Sequence, residues 1–225
     1  MDVVAALFDV DATALSVGAY HLSWLELVST CLYLASVLLA IRAHVLTWPL
    51  GIVANVLLLA LFFQIRLYSD MLLQCYYILV SLWGWWLWRR RGPRKPLEIS
   101  QLSSAHRLAI GAASAVAIVA LGSSAGRLYL WLPSFFPQPA SFPFADATTT
   151  VLSVVATLLL AGKRIENWYL WLAVDAICVY LYASKGVHLM AAEYGLFFVM
   201  AAFGLARWRR LTVASVDTGR VQSIG

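Results

Sequence analysis

Seven long apolar stretches divide this chain, and their lengths leave few folds open to it. They run at about 22–41, 49–63, 71–88, 105–121, 147–161, 167–183 and 187–208. Most are close to the ~20 residues that a helix needs to cross a bilayer, and two are short. In hydrocarbon every backbone N–H and C=O must be satisfied within the segment, which selects helices. Composition agrees: 62% of residues are hydrophobic and 12% charged, about half the charged share of a soluble domain. The expected fold class is all-α, a polytopic membrane protein with seven transmembrane helices. Pro49 suits a first helical turn, where its missing N–H costs nothing. Residues 1–20 contain no Lys or Arg, so they lack the basic start of a cleaved signal peptide.

Topology follows from the basic residues. With the amino terminus outside and the carboxyl terminus inside, 13 of the 16 Lys and Arg fall on the cytoplasmic side. Only Arg66, Arg127 and Lys185 then lie outside. The pI of 9.3 therefore reports orientation before it reports any acidic partner. Cys31, Cys75 and Cys178 are scattered in apolar runs without a C-x-x-C pair and read as small core hydrophobes. No metal-binding or phosphate-binding motif appears, so no cofactor is expected.

Sliding the chain against itself by 120 residues exposes a repeat. Trp48 meets Trp168, Gly84 meets Gly204, Trp88 meets Trp208, and Arg89-Arg90 meet Arg209-Arg210. Asn55 falls on Asp175 and Phe62 on Tyr182. The reading is 3+1+3: two parallel three-helix repeats joined by a linking helix. The predicted divisions are an amino-terminal periplasmic segment (1–20), a first repeat (21–91), and a linker with the fourth helix (92–130). A periplasmic loop (131–145), the second repeat (146–210) and a cytoplasmic tail (211–225) complete the chain. Repeats of this kind are common in transporters, which tend to bind substrate midway between them.

The same alignment picks out candidate residues. Trp168, Trp171, Asp175 and Tyr182 share one helical face, matched by Trp48, Gly51, Asn55 and Phe62 in the first half. At about 1.5 Å per residue from Glu166, Asp175 lies roughly 13 Å deep, near a bilayer midplane. A carboxylate at that depth usually faces a polar cavity or a partner. On the third helices, Gln74, Tyr77, Ser81, Gly84 and Trp88 share a face, as do Tyr194, Phe197, Ala201, Gly204 and Trp208. Gly84 and Gly204 read as close helix contacts, and Trp88 and Trp208, beside Arg pairs, as interfacial anchors.

These residues carry a family resemblance. W-P-L-G-I at 48–52, L-Y-S-D-x-x-L-Q at 67–74, G-W-W-L-W at 84–88 and E-N-W-Y-L-W-L-A-V-D at 166–175 are its marks. Over about residues 20–210 the chain resembles the Pnu vitamin transporters, and most of all their nicotinamide riboside members. The resemblance implies a full-length SWEET-like fold in a bacterial inner membrane, usually as a homotrimer. It also implies facilitated diffusion of a small-molecule vitamin, trapped by a cytoplasmic kinase to feed NAD synthesis, with no nucleic-acid partner. Trp168 and Trp171 match the family's substrate-binding W-x-x-W. Asn55, Gln64, Gln74, Asp175, Tyr182 and Tyr194 are carried over as further substrate positions, with Trp48 added by the repeat. Thiamine or riboflavin is the alternative cargo, since the family includes such members. A pyridinium or thiazolium would suit an aromatic face, where a desolvated cation–π contact is worth about 2 kcal/mol. Proton coupling through Asp175 and Glu193 is the rival mechanism. An enzyme would need a nucleophile–base or metal constellation at one depth, and only isolated acids and histidines are present.

Overall fold

The computed structural model describes residues 12–17, 20–64, 68–90, 98–127, 130 and 142–222. Most of the predicted periplasmic loop, much of the 1–20 segment, the first two residues of the 66–70 loop and the basic run 91–95 lie outside them. Among the described residues there are seven helices: α1 (Trp24–Ile41), α2 (Thr47–Gln64), α3 (Tyr68–Arg90), α4 (Ser104–Ala125), α5 (Pro143–Ala161), α6 (Glu166–Ser184) and α7 (His188–Gln222). The all-helical expectation holds, with one addition ahead of the first helix. An antiparallel hairpin, β1 (Thr13–Val17) and β2 (Tyr20–Ser23), precedes α1. Its β-branched and aromatic residues, Thr13, Val17 and Tyr20, favour extended backbone, which a reading tuned to long apolar runs overlooks.

Helix starts follow local chemistry. Ser23 caps α1, its Oγ accepting from the Glu26 N–H at 3.2 Å, and Ser103 caps α4 through the His106 N–H. Pro143 opens α5. Five helices are long and apolar enough to cross a membrane: α1, α2, α4, α5 and α7 over His188–Thr212. The helices left out, α3 and α6, are those that carry Gln74 and Asp175 with several Tyr and Trp, whose polar atoms lower the mean.

The chain forms two compact units, 1–97 and 98–225. In the first, α2 packs against both α1 and α3 around Leu25, Leu57 and Leu61. In the second, α6 packs against α5 and α7, and α4 lies against α5. There the Phe144 ring covers Gly122, where an added Cβ would come within 2.5 Å of it.

The corner before the central helix is built alike in both units. The Ala43 N–H donates to the Ala40 carbonyl and the His44 N–H to the Leu39 carbonyl. One hundred and twenty residues later Lys163 donates to Leu160 and Arg164 to Leu159. This is the Schellman helix stop, whose left-handed residue is usually glycine. Here it is Ala43 at φ 52° and Lys163 at φ 51°.

Candidate functional site

The indoles sit at the first turn of each central helix. Trp48, 3% exposed, lies over Gly84, where an added Cβ would come within 2.6 Å of its ring. It also meets Trp88 edge-on, with centroids 5.3 Å apart and planes at 88°. Trp168, 2% exposed, repeats this with Gly204 at 2.7 Å and with Trp208 at 5.5 Å and 87°. Glycine is required at both crossings because only a bare backbone lets the indole approach. Trp88 and Trp208 are therefore buried members of this brace and not interfacial anchors, despite their neighbouring arginines. Those arginines stack instead on other rings: Arg89 on Trp85, Arg90 on Trp86 and Arg209 on Tyr169, whose hydroxyl also accepts from Arg209.

Further along the central helices the interior turns polar. In the first unit Asn55 and Gln74 are buried, and the side-chain carbonyl oxygen of each accepts no hydrogen bond. In the second, Asp175 is 3% exposed, and its Oδ2 has no partner. Glu166 Oε2 and Asn167 Oδ1 are likewise buried without a partner, as are the indole Nε1 donors of Trp48 and Trp168. Each orphaned buried polar group costs about 1–3 kcal/mol, so these positions carry a stability penalty.

One to two turns beyond Asp175 lie Cys178 and Tyr182, on the same stripe of α6. The Tyr182 ring stacks on Tyr194 of α7, with centroids 5.3 Å apart and planes 9° from parallel. Tyr194 in turn meets Phe197 edge-on at 6.3 Å. The Cys178 thiol is buried on that stripe. The second unit thus assembles a carboxylate, a thiol and an aromatic wall.

The predicted residues therefore fall into groups. Tyr182 and Tyr194 stack in the second unit, with Asp175 buried on the helix that carries Tyr182, while Asn55 and Gln74 are buried in the first. Trp171 is half-buried, in register with Gly51, whose neighbour is the Ser36 Oγ. Trp48 and Trp168 pack over Gly84 and Gly204, each with a buried indole N–H that has no partner, and Gln64 is exposed at the end of α2. Among the described residues no group of three His, Cys, Asp or Glu side chains could hold a metal.

Sequence reasoning missed a second polar cluster. The Glu166 Oε1 accepts from the Leu102 N–H at 2.9 Å and pairs with Arg107 Nε at 3.1 Å. Arg164 donates to Ser100 Oγ at 2.7 Å, and the Ser100 backbone pairs with Lys163 and Ile165. This latch ties the segment before α4 to the corner before α6. Burial there pushes the Lys163 ammonium below its ordinary pKa. The available signal was Ser103, a cap residue four positions before the lone cation Arg107.

Comparison with known proteins agrees with this architecture. The nicotinamide mononucleotide transporter family matches residues 23–210. The nicotinamide riboside transporter PnuC of Escherichia coli K12 is 31% identical over 213 residues, covering 85% of this chain and 87% of that protein. The riboflavin/roseoflavin transporter RibM of Streptomyces davaonensis is 26% identical over 191 residues, covering 84% and 85%. A crystal structure of the vitamin B3 transporter PnuC shares the fold, with a TM-score of 0.63 and 21% identity over 84% of this chain and 81% of that one. With its apolar helices and a match spanning both units, the chain is a multi-pass membrane protein and belongs to the nicotinamide mononucleotide transporter family.

Proposed function

We propose that this protein carries nicotinamide riboside into the bacterial cytoplasm by facilitated diffusion across the inner membrane. The observation that carries the reading is the buried, unpartnered Asp175 Oδ2 in the second unit, on the same helix as Tyr182 of the Tyr182–Tyr194 stack. A pyridinium ribonucleoside matches that chemistry. Its cation suits a carboxylate and aromatic rings. Trp171 is the W-x-x-W indole assigned to substrate, while Trp168 and Trp48 hold the helices.

The family's description names the mononucleotide, whose phosphate needs a cation to meet it. No Lys or Arg lies within 49–63, 71–88, 108–125, 147–161, 167–183 or 189–206. The riboside is therefore favoured, with capture by a cytoplasmic kinase that adds the phosphate after entry. The riboflavin transporter relative supports a second reading, a larger planar vitamin on the same aromatic wall.

The 120-residue recurrence of corner and brace supports the 3+1+3 plan with parallel triplets, and the basic residues support an external amino terminus. The SWEET-like arrangement and a homotrimer follow the family resemblance. The test is a binding titration of purified protein with nicotinamide riboside, its mononucleotide, thiamine and riboflavin, followed by uptake into empty vesicles. Tight binding of the riboside alone, with uptake unaffected by an uncoupler, is expected. Preference for the mononucleotide or riboflavin would reassign the cargo, and loss of uptake with the uncoupler would replace uniport by proton coupling. Asp175→Asn should weaken riboside binding about tenfold or more while sparing a neutral ligand, if the carboxylate offsets the ring charge.

A further inference from the structure

We infer, resting on the transport reading above, that the α5–α6 contact rearranges during transport while α1–α2 stays fixed, and that Asn167 changes hydrogen-bond partner as it does so. In the first unit the two helices are tied at one point by side chains. The Ser36 hydroxyl of α1 donates to the Thr47 carbonyl of α2 at 2.8 Å, and the Thr47 hydroxyl donates back to the Ser36 carbonyl at 2.8 Å. Both residues are buried. One turn beyond Thr47, a Cβ added to Gly51 would lie 3.2 Å from the Ser36 Oγ, so the helices approach closely here. Every polar group of this tie is met within the tie itself.

One hundred and twenty residues on, each member is replaced. Ala156, Asn167 and Trp171 stand where the first copy has Ser36, Thr47 and Gly51. Ala156 is 0% exposed and has no hydroxyl to give. Asn167 is also 0% exposed; its Nδ2 donates back to the Arg164 carbonyl in the corner, and its Oδ1 accepts nothing. An amide oxygen sealed from water without a donor is costly in the conformation that leaves it so. The cost is relieved if a second conformation brings it a donor, and a group open in one state and met in the other biases the balance between them. The rest of the second unit leaves this contact as the one to give. The indole–glycine crossing holds α6 to α7, as its counterpart holds α2 to α3. The first residue of α6, Glu166, is held by the Leu102 N–H and Arg107, ahead of and within α4. Alternating access asks some contacts to shear while others hold, and here the two copies divide those tasks.

Moving the tie from one copy to the other tests this. Ala156→Ser, Asn167→Thr and the pair of them are made in the full chain, with Ser36→Ala/Thr47→Val as the converse. Riboside affinity is measured by calorimetry, uptake in vesicles, and stability from melting temperatures. The grafted pair should melt higher than its two single variants predict, keep riboside affinity within about threefold, and lose about tenfold or more in uptake rate. The converse pair should melt lower yet keep uptake per folded protein within about twofold. No coupling in the grafted pair, unchanged uptake despite coupling, or an equal loss of uptake in the converse pair would overturn the inference. Hydrogen exchange on the wild type gives a second reading that needs no variant. Amides at 166–171 should exchange faster than those at 46–51 and change protection when riboside is added, and equal protection of the two stretches would overturn it. If the wild type neither binds nor takes up riboside, the transport reading fails, while the exchange comparison without ligand still decides which contact is loose.

Discussion

At the scale of single residues, the sharpest constraint is the contact between an indole and a bare glycine. An alanine at position 204 would place its Cβ 2.7 Å from the Trp168 ring, and at position 84 it would lie 2.6 Å from Trp48. Either Gly→Ala change should lower stability by about 1–3 kcal/mol through overpacking, seen as a fall in melting temperature. The control is Gly195→Ala on the same helix as Gly204, where nothing lies within 4 Å of the added methyl. That change should be neutral or stabilising by about 0.5–1 kcal/mol. Ala43→Gly should also stabilise, by about 1 kcal/mol, because the left-handed corner at φ 52° strains any side chain with a Cβ. A lower melting temperature for Ala43→Gly would show that local packing outweighs that strain.

The sequence conveys this scale unevenly. Helical spacing puts Trp168 and Trp171 on one broad face, but three residues turn a helix by 300°, leaving the two indoles 60° apart. Spacing cannot say that a glycine waits opposite one of them and not the other. The Arg pairs after Trp88 and Trp208 argue for the interface, yet those indoles point inward and the arginines rest on neighbouring rings. The acid at 175 was legible, since few things explain a carboxylate in an apolar run.

At the scale of elements, the helices were the easiest part to read. Each of the seven expected segments corresponds to a helix, with boundaries shifted by a few residues, except that α7 runs on to Gln222. Long apolar runs fix the helix type, whereas ends depend on caps and corners that single residues decide. The hairpin and the latch before α4 escaped, one because it is short and the other because its partners, Ser100 with Arg164 and Arg107 with Glu166, are about 60 residues apart. The latch carries its own prediction. The ion pair itself is half exposed on the Arg107 side and is worth little, but Glu166 also holds the Leu102 N–H. Glu166→Ala should therefore cost more than Arg107→Ala, about 1–2 kcal/mol against less than 1. Equal melting temperatures for the two variants would reduce the latch to a surface ion pair.

At the scale of the whole molecule, the distribution of Lys and Arg makes an orientation testable. A reporter that works only in the periplasm should be active when fused at the amino terminus, and one that works only in the cytoplasm should be active when fused after Gly225. The opposite result would invert the topology and require another account of the basic residues. The 120-residue offset, visible in the sequence as matched Trp, Gly and Arg, reappears in dihedral angles, ring geometry and corner hydrogen bonds. A stretch of chain copied once in tandem begins as two identical sets of side chains, and later changes can fall on either copy. Here the indole–glycine crossings and the corners stayed alike. Positions 51 and 171, 55 and 175, 58 and 178, 62 and 182, and 74 and 194 parted ways. Most other positions of the two central helices differ as well, so what stands out is that the crossings kept their Trp and Gly residues. A lineage built this way can try a new cargo by rewriting one copy's stripe, while the crossings in both copies keep the helices in place during the trial.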